Sequence, residues 1–106
     1  MALRVQHVGA TIPNGTVGRY SELWPSDSFG QGVVVRRGWV ALNGFKLEYD
    51  NPDHEIRVIE VDVDFNNVLA QEPDKVAFRV EANLADKNRD DPYHGYIQTL
   101  VIAEVA

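Results

Sequence analysis

The stretch Ile59-Glu60-Val61-Asp62-Val63-Asp64-Phe65 decides the fold. Ile59, Val61, Val63 and Phe65 fall on one side of an extended chain and the three acids on the other, the period of two that marks a half-buried strand. A second stretch repeats the pattern, with Val76, Phe78, Val80 and Ala82 alternating with Lys75, Arg79 and Glu81. Branched and aromatic side chains at this spacing suit a pleated surface and not a helix. If the two strands pair, Lys75 and Arg79 stand opposite the acids, each cross-strand pair contributing about 0.2–1 kcal/mol.

Working outward, Ile97 to Val105 is a nearly continuous apolar run, which suits a central strand covered on both faces. Phe45, Leu47 and Tyr49 alternate with Lys46 and Glu48, Val33 to Leu42 reads as a strand or strand pair, and Leu3 to Ile12 begins the chain as another. Asn14-Gly15 and Asn43-Gly44 are hairpin dipeptides, because both residues tolerate positive φ. Asn43-Gly44 leaves two readings, a two-residue turn or a bulge inside one long strand. Residues 50–53, 66–74 and 86–92 are loops. Thr16 to Gln31 lacks alternation and reads as a long surface loop with room for one helical turn. Six short strands with no space for crossover helices predict an all-β fold, a six-stranded antiparallel β-sandwich that takes residues 1–106 as a single domain.

The bulk numbers narrow the function. The chain has 106 residues, a formal charge of −6 and no cysteine. A chain of this size builds one core and not two. The acidic balance repels phosphate backbones, and Arg36-Arg37 is only a pair, so nucleic acid is not an expected partner. Without cysteine, disulfides and thiolate metal sites are excluded. That absence, together with an N-terminus lacking an apolar h-region, favours a soluble cytoplasmic protein and leaves an extracellular place open. No apolar run is long enough for a membrane-spanning helix, so membrane insertion is not expected.

No catalytic constellation assembles. Neither G-x-S-x-G nor a P-loop is present. His54-Glu55 begins like a zincin motif, but the second histidine is missing, and Asp62 and Asp64 alternate on a strand face without forming a cleft. The expectation is therefore a non-enzyme. Asp86-Lys87-Asn88-Arg89-Asp90-Asp91 places oxygen ligands at Asp86, Asn88 and Asp90 like the first half of a calcium loop, and then departs from it, with Asp91 where glycine belongs and Ile97 where glutamate belongs. Calcium is thus the weak metal candidate and a polar loop the preferred reading.

The loop Asp90-Asp91-Pro92-Tyr93-His94-Gly95-Tyr96 combines carboxylates, an imidazole and two aromatic rings. That mixture suits a polyhydroxylated ligand: rings cover the C–H face of a sugar, while carboxylate and imidazole take directional hydrogen bonds from its hydroxyls. The competing reading has Tyr93 and Tyr96 cap the end of the sandwich. Asn14-Gly15-Thr16 matches a glycosylation sequon and is read as a turn. Trp24, Trp39, Tyr20 and Phe29 exceed what the N-terminal third needs for its own core, which points to an interface unless Trp39 packs inside.

Four stretches together resemble the H-type lectins, the family of snail agglutinins and discoidin C-terminal domains: Arg4-Val5-Gln6, Val33 to Leu47, Glu55-Ile56-Arg57-Val58-Ile59, and Phe78-Arg79-Val80 followed by Tyr93-His94 and the terminal strand. In the family that strand typically ends in Trp-Ile/Leu-Ala, whereas here it reads Leu100-Val101-Ile102-Ala103. The resemblance implies a trimeric or hexameric β-sandwich binding GalNAc or galactose near subunit interfaces. Residue by residue it implies that Arg57 contacts sugar, that Tyr93 and His94 form the aromatic–histidine pair, and that Asp27 stands nearest to the N-terminal loop acid. Asp91 joins them from the loop composition. The expectation is a homo-oligomeric carbohydrate-binding module, the alternative a structural or self-assembling sandwich without sugar specificity.

Overall fold

A computed structural model describes residues 2–51, 55–86 and 91–106. Six strands form: β1 (Ala2–Thr16), β2 (Tyr20–Pro25), β3 (Val35–Tyr49), β4 (Val58–Val68), β5 (Val76–Ala85) and β6 (Tyr93–Val105). They make two three-stranded antiparallel sheets, ordered β1-β6-β3 and β2-β5-β4. Every connection except the β4–β5 hairpin passes from one sheet to the other. The all-β sandwich expected from the alternation is present.

The core lies where the two central strands face each other. Phe78, Val80 and Leu84 of β5 meet Ile97, Val101 and Tyr93 of β6, all fully buried. Each such side chain contributes about 1.5–3 kcal/mol of transfer free energy on leaving water. Thr99 is buried among them and donates its hydroxyl to Val8 O at 2.8 Å, so its polar atom is satisfied.

The division into strands differs from the sequence reading in several places, one of them β4, which runs on through Val68 into the segment read as the loop 66–74. Val35 to Leu42 and Phe45 to Tyr49 belong to one strand, β3, which starts two residues after Val33, and Asn43 is the extra residue of a bulge between the Leu42–Thr99 and Gly44–Gln98 pairs. The sixth strand is β2, inside the segment expected to be loop. Its pairing with β5 turns Tyr20, Glu22 and Trp24 toward the core side and Leu23 outward. Here a charge points in and a leucine points out, so the polar–apolar alternation that reveals a strand is inverted. Asn14-Gly15 likewise makes no hairpin: it lies in a register shift of β1, between Ile12 opposite Gly95 and Thr16 opposite Tyr93.

The β4–β5 pairing sets Asp64 opposite Arg79 and Asp62 opposite Glu81. Arg79 nevertheless donates to Ser21 Oγ at 2.8 Å, and it is Arg19 that bridges Glu60 and Glu81. Lys75 precedes β5 and pairs with Glu72. These pairs are exposed and add little stability. Strand β6 is central, as its apolar run suggests, but a sheet covers only its inner face. Trp39 does not pack inside: it lies on the outer face of β3 with the Arg37 guanidinium 5.9 Å from its ring.

Candidate functional site

The chemistry-bearing segment, read as a loop from the sequence, belongs to strand β6 from Tyr93 onward and lies at the end of the sandwich where β3 finishes and β6 begins. Tyr93 and His94 are neighbours on β6, so the pleat sends their side chains to opposite faces. Tyr93 goes inward, is fully buried, and donates its hydroxyl to Gly18 O at 2.6 Å and to Ala82 O at 3.3 Å. Burial pushes its phenol above the ordinary value. Its ring is part of the core and offers no face to a ligand.

His94 goes outward, opposite Glu48 of β3. Its Nε2 is 2.8 Å from Glu48 Oε1 and its Nδ1 is 2.5 Å from Asp50 Oδ1. A ring that meets an acceptor at both nitrogens donates from both, which is the imidazolium form. The hydrogen bond to Asp50, then that to Glu48, raises the His94 pKa above its ordinary 6.5. In return, His94 holds both carboxylates below their usual range. Asp50 also accepts the Gly15 N–H at 2.7 Å, and Glu48 has Lys46 Nζ at 3.6 Å. Gly15 has φ of 84°, left-handed backbone that glycine adopts without strain. This is the use the fold makes of Asn14-Gly15.

The clip gives a pH dependence of definite sign. A raised histidine pKa contributes stability that is complete below 6.5 and is lost as pH rises through the folded value. Lowered carboxylate pKa values contribute stability that is present above 3.8 for Asp50 and 4.5 for Glu48 and is lost on acidification. The clip therefore stabilises most between pH 4.5 and 6.5. Denaturant titrations of the wild type and of His94→Gln are expected to differ most in that window and to converge toward pH 9. A difference that grows with alkalinity would show that the clip does not form.

Two residues along β6, on the same outer face, Tyr96 stands between Thr11 and Lys46 with 42% of its surface exposed. The same face thus carries an open aromatic ring, Lys46, Glu48 and His94. Glu48 uses Oε1 for both His94 and Lys46, so Oε2 remains as an acceptor without a partner among the described residues.

Arg57 reaches the same end by a different route. Its N–H donates to Ala85 O, its guanidinium lies 3.3 Å from Glu55, and the Tyr49 hydroxyl donates to Glu55 O. Tyr49 feels the negative charge of Asp86 and Asp91, which add to burial in raising its pKa. The structure thus gathers Arg57, Asp91, Tyr93 and His94 at one end of the sandwich. Asp27 is elsewhere. Its backbone is tied to Gln6, which stands opposite Val101, and from His94 to Val101 is roughly 23 Å at about 3.3 Å per residue. Of the calcium candidates, Asp86 lies near Tyr49, while Asn88 and Asp90 are outside the described residues, as is His54. The carboxylates that do converge among the described residues are Asp62, Asp64 and Glu81, within 4.8 Å of one another on the exposed face of β4 and β5. A hydrogen bond shared with Asp62 raises the Asp64 pKa.

Glu48 and Asp50 were not singled out in the sequence, although a signal exists. Lys46, Glu48 and Asp50 continue the outward row of β3 past its last apolar residue, Tyr49, so a partner strand bearing a histidine at that level meets both acids.

Fold and site together define a two-layer antiparallel β-sandwich with a polar, aromatic-edged surface at one end. No family model, no curated protein and no solved structure matches the chain.

Proposed function

We propose that the protein is a non-catalytic carbohydrate-binding module, acting as a homo-oligomer, whose sugar lies on the outer face of the β3–β6 pair at the His94 end. The observation that carries this reading is the Tyr96 ring, open to solvent and flanked on its own face by Lys46, Glu48 and His94. A pyranose laid on such a ring puts its C–H groups on the aromatic face and its hydroxyls within reach of a carboxylate and an ammonium group. Galactose or GalNAc is the class the H-type-lectin resemblance implies. His94 serves this site by positioning Glu48, since both ring nitrogens are taken. Arg57 and Asp91 stand at the same end of the sandwich, and Asp27 enters only from a neighbouring copy.

The test is retention on galactose-agarose with release by free galactose or GalNAc. The wild type is expected to be retained, and Tyr96→Ala, which removes one exposed ring, to bind about tenfold more weakly or less still. Retention unchanged in Tyr96→Ala would remove the sugar from this face.

A second reading, a self-assembling scaffold without sugar specificity, is favoured by the burial of Tyr93 and by the many large apolar side chains left exposed, among them Leu3, Val5 and Phe45. It predicts a protein that passes through the column unretained.

A further inference from the structure

The two flanks of the sandwich are built differently. On the β1/β2 flank, the inward positions near the rim are polar: Arg4 and Gln6 on β1, Glu22 on β2. Residues 27–29 roof them, with Arg4 donating to Phe29 O and Gln6 to Asp27 O and Ser28 O. Inward charges and a covering loop are the devices by which edge strands avoid pairing with other chains.

Among the described residues the β3/β4 flank has neither. Phe65 packs on Gly38, where a Cβ would come within 2.6 Å of the ring, and at the other end Tyr49 bonds Glu55 O. Strands β3 and β4 therefore run antiparallel along the two lips of a lateral groove. The inward positions are Val40, Leu42 and Phe45 on one lip and Ile59, Val61 and Phe65 on the other. Leu42, Phe45, Ile59 and Phe65 are 42%, 43%, 50% and 36% exposed, although they belong to the core side of their sheets. Both lips are edge strands, of 15 and 11 residues.

We propose that a second copy of this chain closes this groove, the β3 lip of each copy against the β4 lip of the next. Charge selects this pairing. On strand β3, Arg37 is held by Glu104 and Lys46 by Glu48, which leaves Arg36 as the cation of that lip, whereas on β4 Glu60 is held by Arg19, which leaves Asp62 and Asp64 as its acids. Like lips repel and unlike lips attract, which fits a two-fold axis along the strands or a closed ring. The molecule measures 50 × 22 × 16 Å, so the outline of a flank is at most about 800 Å² per copy, of the order that each partner contributes to a standard stable interface. The inference is independent of the sugar reading, because its readout is mass.

Light scattering on the eluting protein tests it. The wild type is expected at a multiple of 11.9 kDa, and Phe45→Glu at 11.9 kDa with its strand circular dichroism intact. Asp62→Lys/Asp64→Lys, which alters only exposed side chains, is expected to dissociate the assembly without touching the core. If Phe45→Glu loses its fold, this second variant decides. A wild type that stays at 11.9 kDa at its highest soluble concentration would overturn the proposal. So would an assembly that survives the lysine variant, or one that instead dissociates in Leu3→Glu/Val5→Glu on the outer face of β1.

Discussion

Gly95→Ala is expected to cost about 3 kcal/mol or more, because a Cβ there would make the closest clash of any glycine in the chain. A Cβ at Gly95 would lie 1.9 Å from Lys46 O, 2.9 Å from Lys46 C and 3.1 Å from Leu47 Cα. Ordinary contact begins near 3.4 Å, so the β3 backbone must retreat by about 1.5 Å at the point where it hydrogen-bonds β6. The clash is with main chain, and no side-chain rotation relieves it. For a domain of this size, 3 kcal/mol lowers Tm by roughly 12–24 °C. The matched control is Gly9→Ala on β1, where a Cβ meets nothing within 4 Å and the change is expected to stay within about 0.5 kcal/mol. Equal melting temperatures for the two variants would show that β3 and β6 are not as close as described. Because Gly95 lies between His94 and Tyr96, sugar retention is expected to fall with stability in the Gly95 variant and to persist in the Gly9 variant.

Tyr93→Ala is expected to cost about 3–5 kcal/mol, and Tyr93→Phe about 1–2 kcal/mol. The alanine variant empties a site that is fully buried between the sheets. The phenylalanine variant keeps the ring and removes only the hydroxyl, leaving Gly18 O and Ala82 O without their donor. The pair separates two roles for the residue. A core role predicts that Tyr93→Phe loses stability and keeps its sugar affinity. The contact role that the lectin resemblance implies for Tyr93 predicts a stable Tyr93→Phe or Tyr93→Ala protein with weakened binding. Chemical denaturation followed by the column assay on the same samples distinguishes them.

These two residues show how far the sequence could be read. Strands β4 and β5 were legible because their apolar and polar residues sort onto two faces, itself a consequence of the sandwich, and β6 because its apolar run is nearly continuous. Strand β2 was not, since Glu22 faces in at a protected edge and Leu23 faces out. Asn43-Gly44 was ambiguous for a different reason: glycine after asparagine suits a turn and a bulge alike, and only the pairing of both halves of β3 with β6 decides. At the candidate site, the loop composition pointed to His94. It could not say which of the two aromatics, Tyr93 or Tyr96, faces solvent. The pleat makes that choice, burying Tyr93 with the core row of Ile97 and Val101 and leaving Tyr96 on the row of His94. Asp27 illustrates a limit of another kind, because a sequence resemblance carries residues over one at a time and not the distances between them.

The account stands most directly on whether the outer face at the His94 end binds sugar. A glycan-array screen of the labelled wild type beside Tyr96→Ala, each with and without chelator, measures this. The expected result is a coherent set of galactose- or GalNAc-terminated hits for the wild type, absent from Tyr96→Ala; loss of those hits with chelator would add a cation to the site. A blank array from folded protein, or the same hits from both proteins, would contradict it and leave the self-assembling scaffold as the better description.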